Sequence, residues 1–253
     1  MARIELRKRG RIGEIRLNRP EVLNAQGVDW PADMLAAVTE MNDDDAIRVV
    51  LVTGEGRSFC SGLDLDDLAA GKITLDWFHE GELPIRALET ADKAVIAGVQ
   101  GHCLGGGLQI AIACDVRISA DDAIYGLPAA QEGFLPGFST WRLPRLIGMG
   151  HARHLILSGE TIAPNEAQRI GLVNRVVDRD DLERELEASA KRYLEVPAPS
   201  LKWAKRLSNQ AFDLPFDRFV EPYDQAAKIV LDSQEHRAAR VAWRGRKAKR
   251  SSR

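Results

Sequence analysis

The chain has 253 residues, 45% of them apolar, enough for one substantial core as a single domain or as a domain with an appendage. A formal charge of −2 provides no broad basic field for nucleic acid, and no apolar run approaches the ~20 residues that span a bilayer. The start, Met-Ala-Arg-Ile-Glu-Leu-Arg-Lys-Arg, lacks the apolar centre of a secretory signal, and Cys60, Cys103 and Cys114 form neither a disulfide framework nor a metal-ligand spacing. The expectation is a cytoplasmic chain with no metal site and no nucleic-acid or membrane partner.

Ile12 to Asn18 alternates as a half-exposed strand, stopped by Arg19-Pro20. Val28 to Met41 reads as an amphipathic helix with Pro31 in its first turn. Arg48 to Gly54 is a buried strand, and 64–91 a helical stretch that Pro84 should bend or break. Lys93 to Gln100 is a second buried strand. After it, Gly105, Gly106 and Gly107 precede a helix over 108–115. Val116–Ala120 and Ala123–Gly126 follow as short strands with Asp121-Asp122 as the turn.

The loop Leu127 to Phe138 is irregular. Helices are expected at 139–147 and 149–158, a short one between Pro164 and Gly171, a strand at Val173–Val177, and a charged helix from Asp180 to Glu195. Pro197-Ala-Pro199 marks a boundary, beyond which Ser200 to about Ala242 is helical. Arg237 to Arg253, crowded with Arg and Lys around Trp243, reads as a solvated, partly disordered tail. Strands alternating with helices, then helices alone, predict an α/β core with a C-terminal helical appendage.

The glycines carry the chemistry. Without a Cβ they let a ligand approach the backbone, and the helix start offers free N–H groups and the positive end of a dipole. An oxyanion or phosphate suits such a place, although a tight turn packed under another segment would use the same residues.

Several segments resemble one family in order along the chain. They are Ile15-Arg-Leu-Asn-Arg-Pro-Glu-Val-Leu-Asn-Ala25, Val50-Leu-Val-Thr-Gly-Glu-Gly-Arg-Ser-Phe-Cys-Ser-Gly-Leu-Asp-Leu65, Gly101-His-Cys-Leu-Gly-Gly-Gly107, Ala113-Cys-Asp115, Leu135-Pro-Gly137, Arg142-Leu-Pro-Arg-Leu-Ile-Gly148 and Ala167-Gln-Arg-Ile-Gly-Leu-Val-Asn174. Together they resemble the enoyl-CoA hydratase/isomerase (crotonase) superfamily. The resemblance implies a crotonase-like spiral of ββα turns over residues 1–196. It also implies a helical region over 197–253 that builds a homotrimer or a dimer of trimers. The implied substrate is an acyl-CoA, coenzyme A entering as part of the thioester and not as a separate cofactor. The backbone N–H groups of Leu63 and Gly106 fall where the family clasps the thioester carbonyl. Such donors stabilise an enolate oxygen more than the ground-state carbonyl. Ala25, Ser61, Leu63, Asp64, Leu65 and Asp66 match the segments along the coenzyme A path.

Two departures matter. The family's hydratases carry two glutamates, and those positions fall on Gln109 and Ala129. Adding water across a double bond needs one group to take a proton and another to deliver one. Gln109 can only hydrogen-bond, and Ala129 can do neither. Glu132 is the nearby carboxylate; desolvation beside Phe134 and Phe138 would favour its protonated form and suit it to shuttle a proton. Its plain alternative is an exposed glutamate, or one paired with Arg142 or Arg145. His102 is expected to be a hydrogen-bonded strand-end residue, Asp64 a helix cap, Asp115 a loop anchor, and Trp141 and Trp203 packing residues. Cys60, Cys103 and Ser61 carry no sign of nucleophile activation. Single-base chemistry such as isomerisation is therefore favoured over hydration. A non-catalytic acyl-CoA binder is the alternative; a protein-interaction module using the tail would leave the glycine loops unexplained.

Overall fold

The computed structural model describes the backbone of residues 2–251 and the side chains as far as Trp243. Two compact units divide the chain between Tyr193 and Leu194. The first is built on a six-stranded sheet in the order β1 (Ile4–Arg9), β2 (Ile12–Leu17), β3 (Val49–Gly54), β4 (Ala94–Val99), β6 (Val116–Ala120) and β9 (Arg175–Val177). Only β1 and β2 pair antiparallel; the other neighbours are parallel. Every residue of β3 and β4 is buried, as expected of central parallel strands covered on both faces. A smaller sheet holds β5 (His102–Leu104), β7 (Ile124–Gly126) and β8 (Thr161–Ile162).

Helices α1 (Trp30–Asp43) and α3 (Leu75–Glu89) pack together, and α2 (Leu65–Ala69) precedes α3. Next come α4 (Gly106–Ala113), α5 (Ser139–Ser158), α6 (Pro164–Arg169) and α7 (Leu182–Leu194). Met34, Met41, Ile47, Phe59, Leu88 and Leu108 are among the wholly enclosed side chains of the core.

The second unit consists of α8 (Ala198–Gln210), α9 (Phe216–Asp232) and α10 (Gln234–Ser251), with α9 packed against both its neighbours. The tail read as partly disordered is helical through Ser251, while Ser252 and Arg253 lie outside the described residues.

Other expectations need correction. The helical stretch 64–91 breaks at 70–74, between α2 and α3, and not at Pro84, which is buried inside α3. Packing of α3 on α1, including Trp77 against Trp30, outweighs the hydrogen bond proline removes. Asp121-Asp122 is the expected turn, and it carries the chain from one sheet to the other, since β6 and β7 belong to different sheets. β1 escaped the sequence reading because its Glu, Arg and Lys mask the alternation. It is an edge strand, where charge discourages further pairing. The expected break near residue 148 is present as a kink in α5 at Gly148, where φ is 77°.

The motif residues stitch loops to this frame. Asn24 accepts from the Arg19 N–H at 2.8 Å and donates to the carbonyls of Glu55 and Ser58. Asp115 accepts from the Val95 N–H at 2.7 Å, the anchoring role expected of it. Arg117 is buried and donates to the carbonyls of Leu172 (2.7 Å), Cys114 (2.6 Å) and Ala111 (3.3 Å), closing the C-terminal end of α4.

Candidate active site

Residues 60–64 are laced into the structure from both sides. Cys60 bridges Cys103 in parallel, the Cys60 N–H donating to the His102 carbonyl and Leu104 N–H to the Cys60 carbonyl. Leu63 bridges Gln26 in parallel: Gln26 N–H donates to the Gly62 carbonyl at 2.8 Å, and Asp64 N–H to the Gln26 carbonyl at 3.0 Å. A parallel bridge takes its bonds from the groups flanking the paired residue, so Leu63 keeps its own N–H, directed away from Gln26. Gly106 opens α4, where a helix leaves its first N–H groups unpaired. Neither N–H has an acceptor among the described residues. The two segments meet: a Cβ on Gly62 would stand 3.4 Å from the Gly106 nitrogen.

A cavity of about 460 Å³ opens here. Leu63, Gly106, Ala25, Ser61, Asp64, Leu65, Asp66, Gln109, Ala129 and Glu132 all line it, so the fold brings the sequence-predicted residues to one place. Its apolar wall comes largely from Trp30, Trp77, Phe78, Ile85, Phe134 and Phe138. Asp64 caps α2 by accepting from the Asp67 N–H, and also accepts from Arg19 at 3.1 Å, so its carboxylate is committed to structure as expected.

Gln26 lines the cavity too, and the sequence reading passed over it. Its main chain clamps residues 62–64, and its carboxamide lies against Gly106. A Cβ on Gly106 would collide with the end of the Gln26 side chain, which would have to move aside. The signal was a polar residue directly after Asn24-Ala25 in a stretch that is otherwise buried.

Gln109 and Ala129 face the cavity with no carboxylate between them. Glu132 shares the loop with Ala129, its N–H donating to the carbonyls of Pro128 and Ala129. Its side chain has no partner among the described residues and is exposed at the cavity rim. The desolvation expected beside Phe134 and Phe138 is therefore absent, because Phe138 is itself exposed and Phe134 only half-buried. Nor does Glu132 pair with Arg142, whose buried guanidinium binds Glu82 and Glu89.

Other candidates resolve into structure. The His102 ring lies 3.0 Å from Ser58 Oγ, as a strand-end histidine should. Burial pushes the Cys60 thiol up to about 12 and the Cys103 thiol well above its ordinary value, so neither supplies a thiolate near neutrality. Trp141 departs from the packing role expected: it is exposed, with the Arg145 guanidinium 3.8 Å from its ring centre. Trp203 is half-buried, 5.2 Å from the Arg206 guanidinium. Among the described residues no group of three His, Cys, Asp or Glu could hold a metal ion, and no helix is long and apolar enough to cross a membrane.

A family profile described as enoyl-CoA hydratase/isomerase matches residues 7–245. The chain belongs to the enoyl-CoA hydratase/isomerase family. It is 34% identical to the crotonyl-CoA hydratase of Syntrophomonas wolfei, over 95% of this chain and 94% of that protein. It is 33% identical to the short-chain-enoyl-CoA hydratase of Clostridium acetobutylicum, over 94% and 93%. The crystal structure of an enoyl-CoA hydratase from Bacillus anthracis superposes with a TM-score of 0.91 at 28% identity, covering 96% of each chain. The spiral of ββα turns with C-terminal helices is thus the crotonase fold. This chain is an enzyme of the hydratase/isomerase family, and that membership implies an acyl-CoA substrate.

Proposed function

We propose that this enzyme holds an acyl-CoA with its thioester carbonyl between the N–H groups of Leu63 and Gly106, and moves a proton by a single carboxylate, that of Glu132. Two unpaired main-chain donors at adjoining segments, one at a helix start, supply the charge stabilisation an enolate requires. The reaction that fits is a double-bond shift, in which one base removes a proton from one carbon and returns it to another. Hydration needs two proton-handling groups, and positions 109 and 129 carry none.

The observation that carries this reading is the cavity wall itself: Gln109, Ala129 and Glu132 line one cavity, and Glu132 is a carboxylate on the same loop as Ala129 with no partner among the described residues. Exposure does not disqualify Glu132, because a bound acyl chain would cover the rim. The coenzyme A portion would follow Ala25, Ser61 and residues 63–66. Assembly as a trimer or a dimer of trimers through residues 197–253 belongs to the same proposal, and sedimentation velocity tests it.

The deciding experiment incubates the enzyme with crotonyl-CoA and, separately, with a 3-enoyl-CoA. Isomerisation of the 3-enoyl-CoA without mass change, lost in Glu132→Gln at unchanged affinity, is expected. Gain of water on crotonyl-CoA at the rate of isomerisation would overturn the single-base reading. A Glu132→Gln variant as active as the parent would remove Glu132 from it.

A further inference from the structure

Arg142 is a cation one side chain behind the acyl cavity. Its side chain is 4% exposed and does not line the cavity, whereas Glu82, from α3, does. The two meet as a fork: Arg142 Nη1 donates to Glu82 Oε2 at 3.1 Å and Nη2 to Glu82 Oε1. The other edge of the guanidinium, Nε and Nη2, donates to Glu89 Oε2 at 3.3 and 3.0 Å. Glu89 also holds Arg86 at 2.7 Å and does not line the cavity. Joining α5 to α3 is thus a task Glu89 already performs. What Glu82 adds is a carboxylate on the cavity side, filling the Nη edge of the arginine.

That edge is the part of an arginine best shaped to receive a ligand carboxylate. Elsewhere on the wall Asp64, Asp66 and Glu132 are further carboxylates, and among the described residues no Lys, Arg or His lines the cavity. An acyl group ending in a carboxylate would lose its hydration, meet like charge and find the nearest cation taken. A neutral chain meets no such penalty against Trp77, Phe78 and Ile85, which line the cavity from the same helix as Glu82.

We propose that Glu82 is a specificity-determining residue: by occupying the Arg142 fork it excludes acyl groups that carry a second carboxylate, and its removal opens a carboxylate site in the cavity wall. The inference rests on acyl-CoA binding at the Leu63–Gly106 site and deepens it by naming the acyl class turned away and the residue that does so. Exclusion works here through the competitor's unpaired charge, and the arginine that would accept that charge is already in place.

Calorimetry with succinyl-, glutaryl- and adipyl-CoA against butyryl-, pentanoyl- and hexanoyl-CoA tests it, each pair matched in carbon number and lacking a double bond to shift. The parent should bind every plain ester about 100-fold or more tightly than its dicarboxylic counterpart, the scale of like charge brought together. Glu82→Ala exposes the Arg142 fork while Glu89 keeps hold of the arginine, so at least one dicarboxylic ester, the one of fitting length, should gain tenfold or more over its plain partner. Glu82→Gln removes the charge but still fills the fork, and should gain less. Thermal unfolding checks that both variants are folded. A parent that binds the two classes within tenfold, an alanine variant that gains for none of the three lengths, or a glutamine variant that gains as much as alanine overturns the inference while leaving acyl-CoA binding intact. Failure of the parent to bind any of the six esters overturns both.

Discussion

The Gln109 side chain lies over the α-carbon of Gly137: a β-carbon there would stand 2.8 Å from Gln109 Nε2 and 3.1 Å from Oε1. Gly137 also holds φ at 53°, where a side chain strains the backbone. The end of the 127–138 loop and the second turn of α4 are thus fitted to each other through a glycine. Gly137→Ala should cost ~1–2 kcal/mol of stability from the backbone alone. It should also displace Gln109, so that a fall in acyl-CoA affinity accompanies the shift in urea midpoint. A variant with parental stability would contradict the φ.

Gly106 gives a sharper test of the carbonyl site. A β-carbon there meets the Gln26 carboxamide, so Gly106→Val must push Gln26 or α4 aside. Acyl-CoA affinity measured by calorimetry should fall below detection. Unchanged affinity would count against the role of the Gly106 N–H.

Restoring both missing carboxylates should restore hydration. The double variant Gln109→Glu, Ala129→Glu is expected to add water to crotonyl-CoA at least ~100-fold faster than either single variant, the usual scale of general acid–base catalysis. Loss of the enoyl absorbance follows it directly. Equal rates in single and double variants would show that the two positions do not work as a pair.

Arg142 is nearly inaccessible, and its guanidinium binds Glu82 on the cavity wall and Glu89 at 3.0 Å. Arg142→Met would leave the partly buried Glu82 carboxylate without this cation, while Glu89 keeps Arg86 at 2.7 Å. The expected destabilisation is ~3–5 kcal/mol by denaturant titration. Arg142→Lys should recover only part of it, because an ammonium cannot reproduce the forked contact.

The buried Cys60 thiol, pushed up to about 12 from an ordinary 9.0, makes stability depend on alkaline pH. The unfolded chain releases this proton near pH 9, while the folded chain holds it until about pH 12. Its contribution is therefore complete below pH 9 and is lost as pH rises from 9 toward 12, at ~1.4 kcal/mol per pH unit. Cys60→Ala should flatten unfolding free energy against pH in that window. An identical slope in both proteins would place the titration elsewhere.

How far sequence could be read depended on where the information lies. The buried strands β3 and β4 were legible because their apolar β-branched runs have no other explanation, and the helix break near Gly148 because glycine punctuates an otherwise periodic stretch. Motif order placed Leu63, Gly106, Gln109, Ala129 and Glu132 in one region. Chain order along β3, β5 and α4 decides which loops share a strand end. The missed features depend on partners distant in sequence. Pro84 stays helical because α1 supports α3, and Glu132 is exposed on a loop whose Phe134 and Phe138 are not buried around it. Gln26 acquires its significance only when Gly106, eighty residues later, is folded against it.

The free N–H at Leu63 follows from strand register, since the bridge to Gln26 uses only the atoms on either side of it. A donor of that kind is indifferent to whichever side chain sits at position 63, proline excepted. Substitutions at 109, 129 and 132, which change the cavity wall, therefore leave this grip in place.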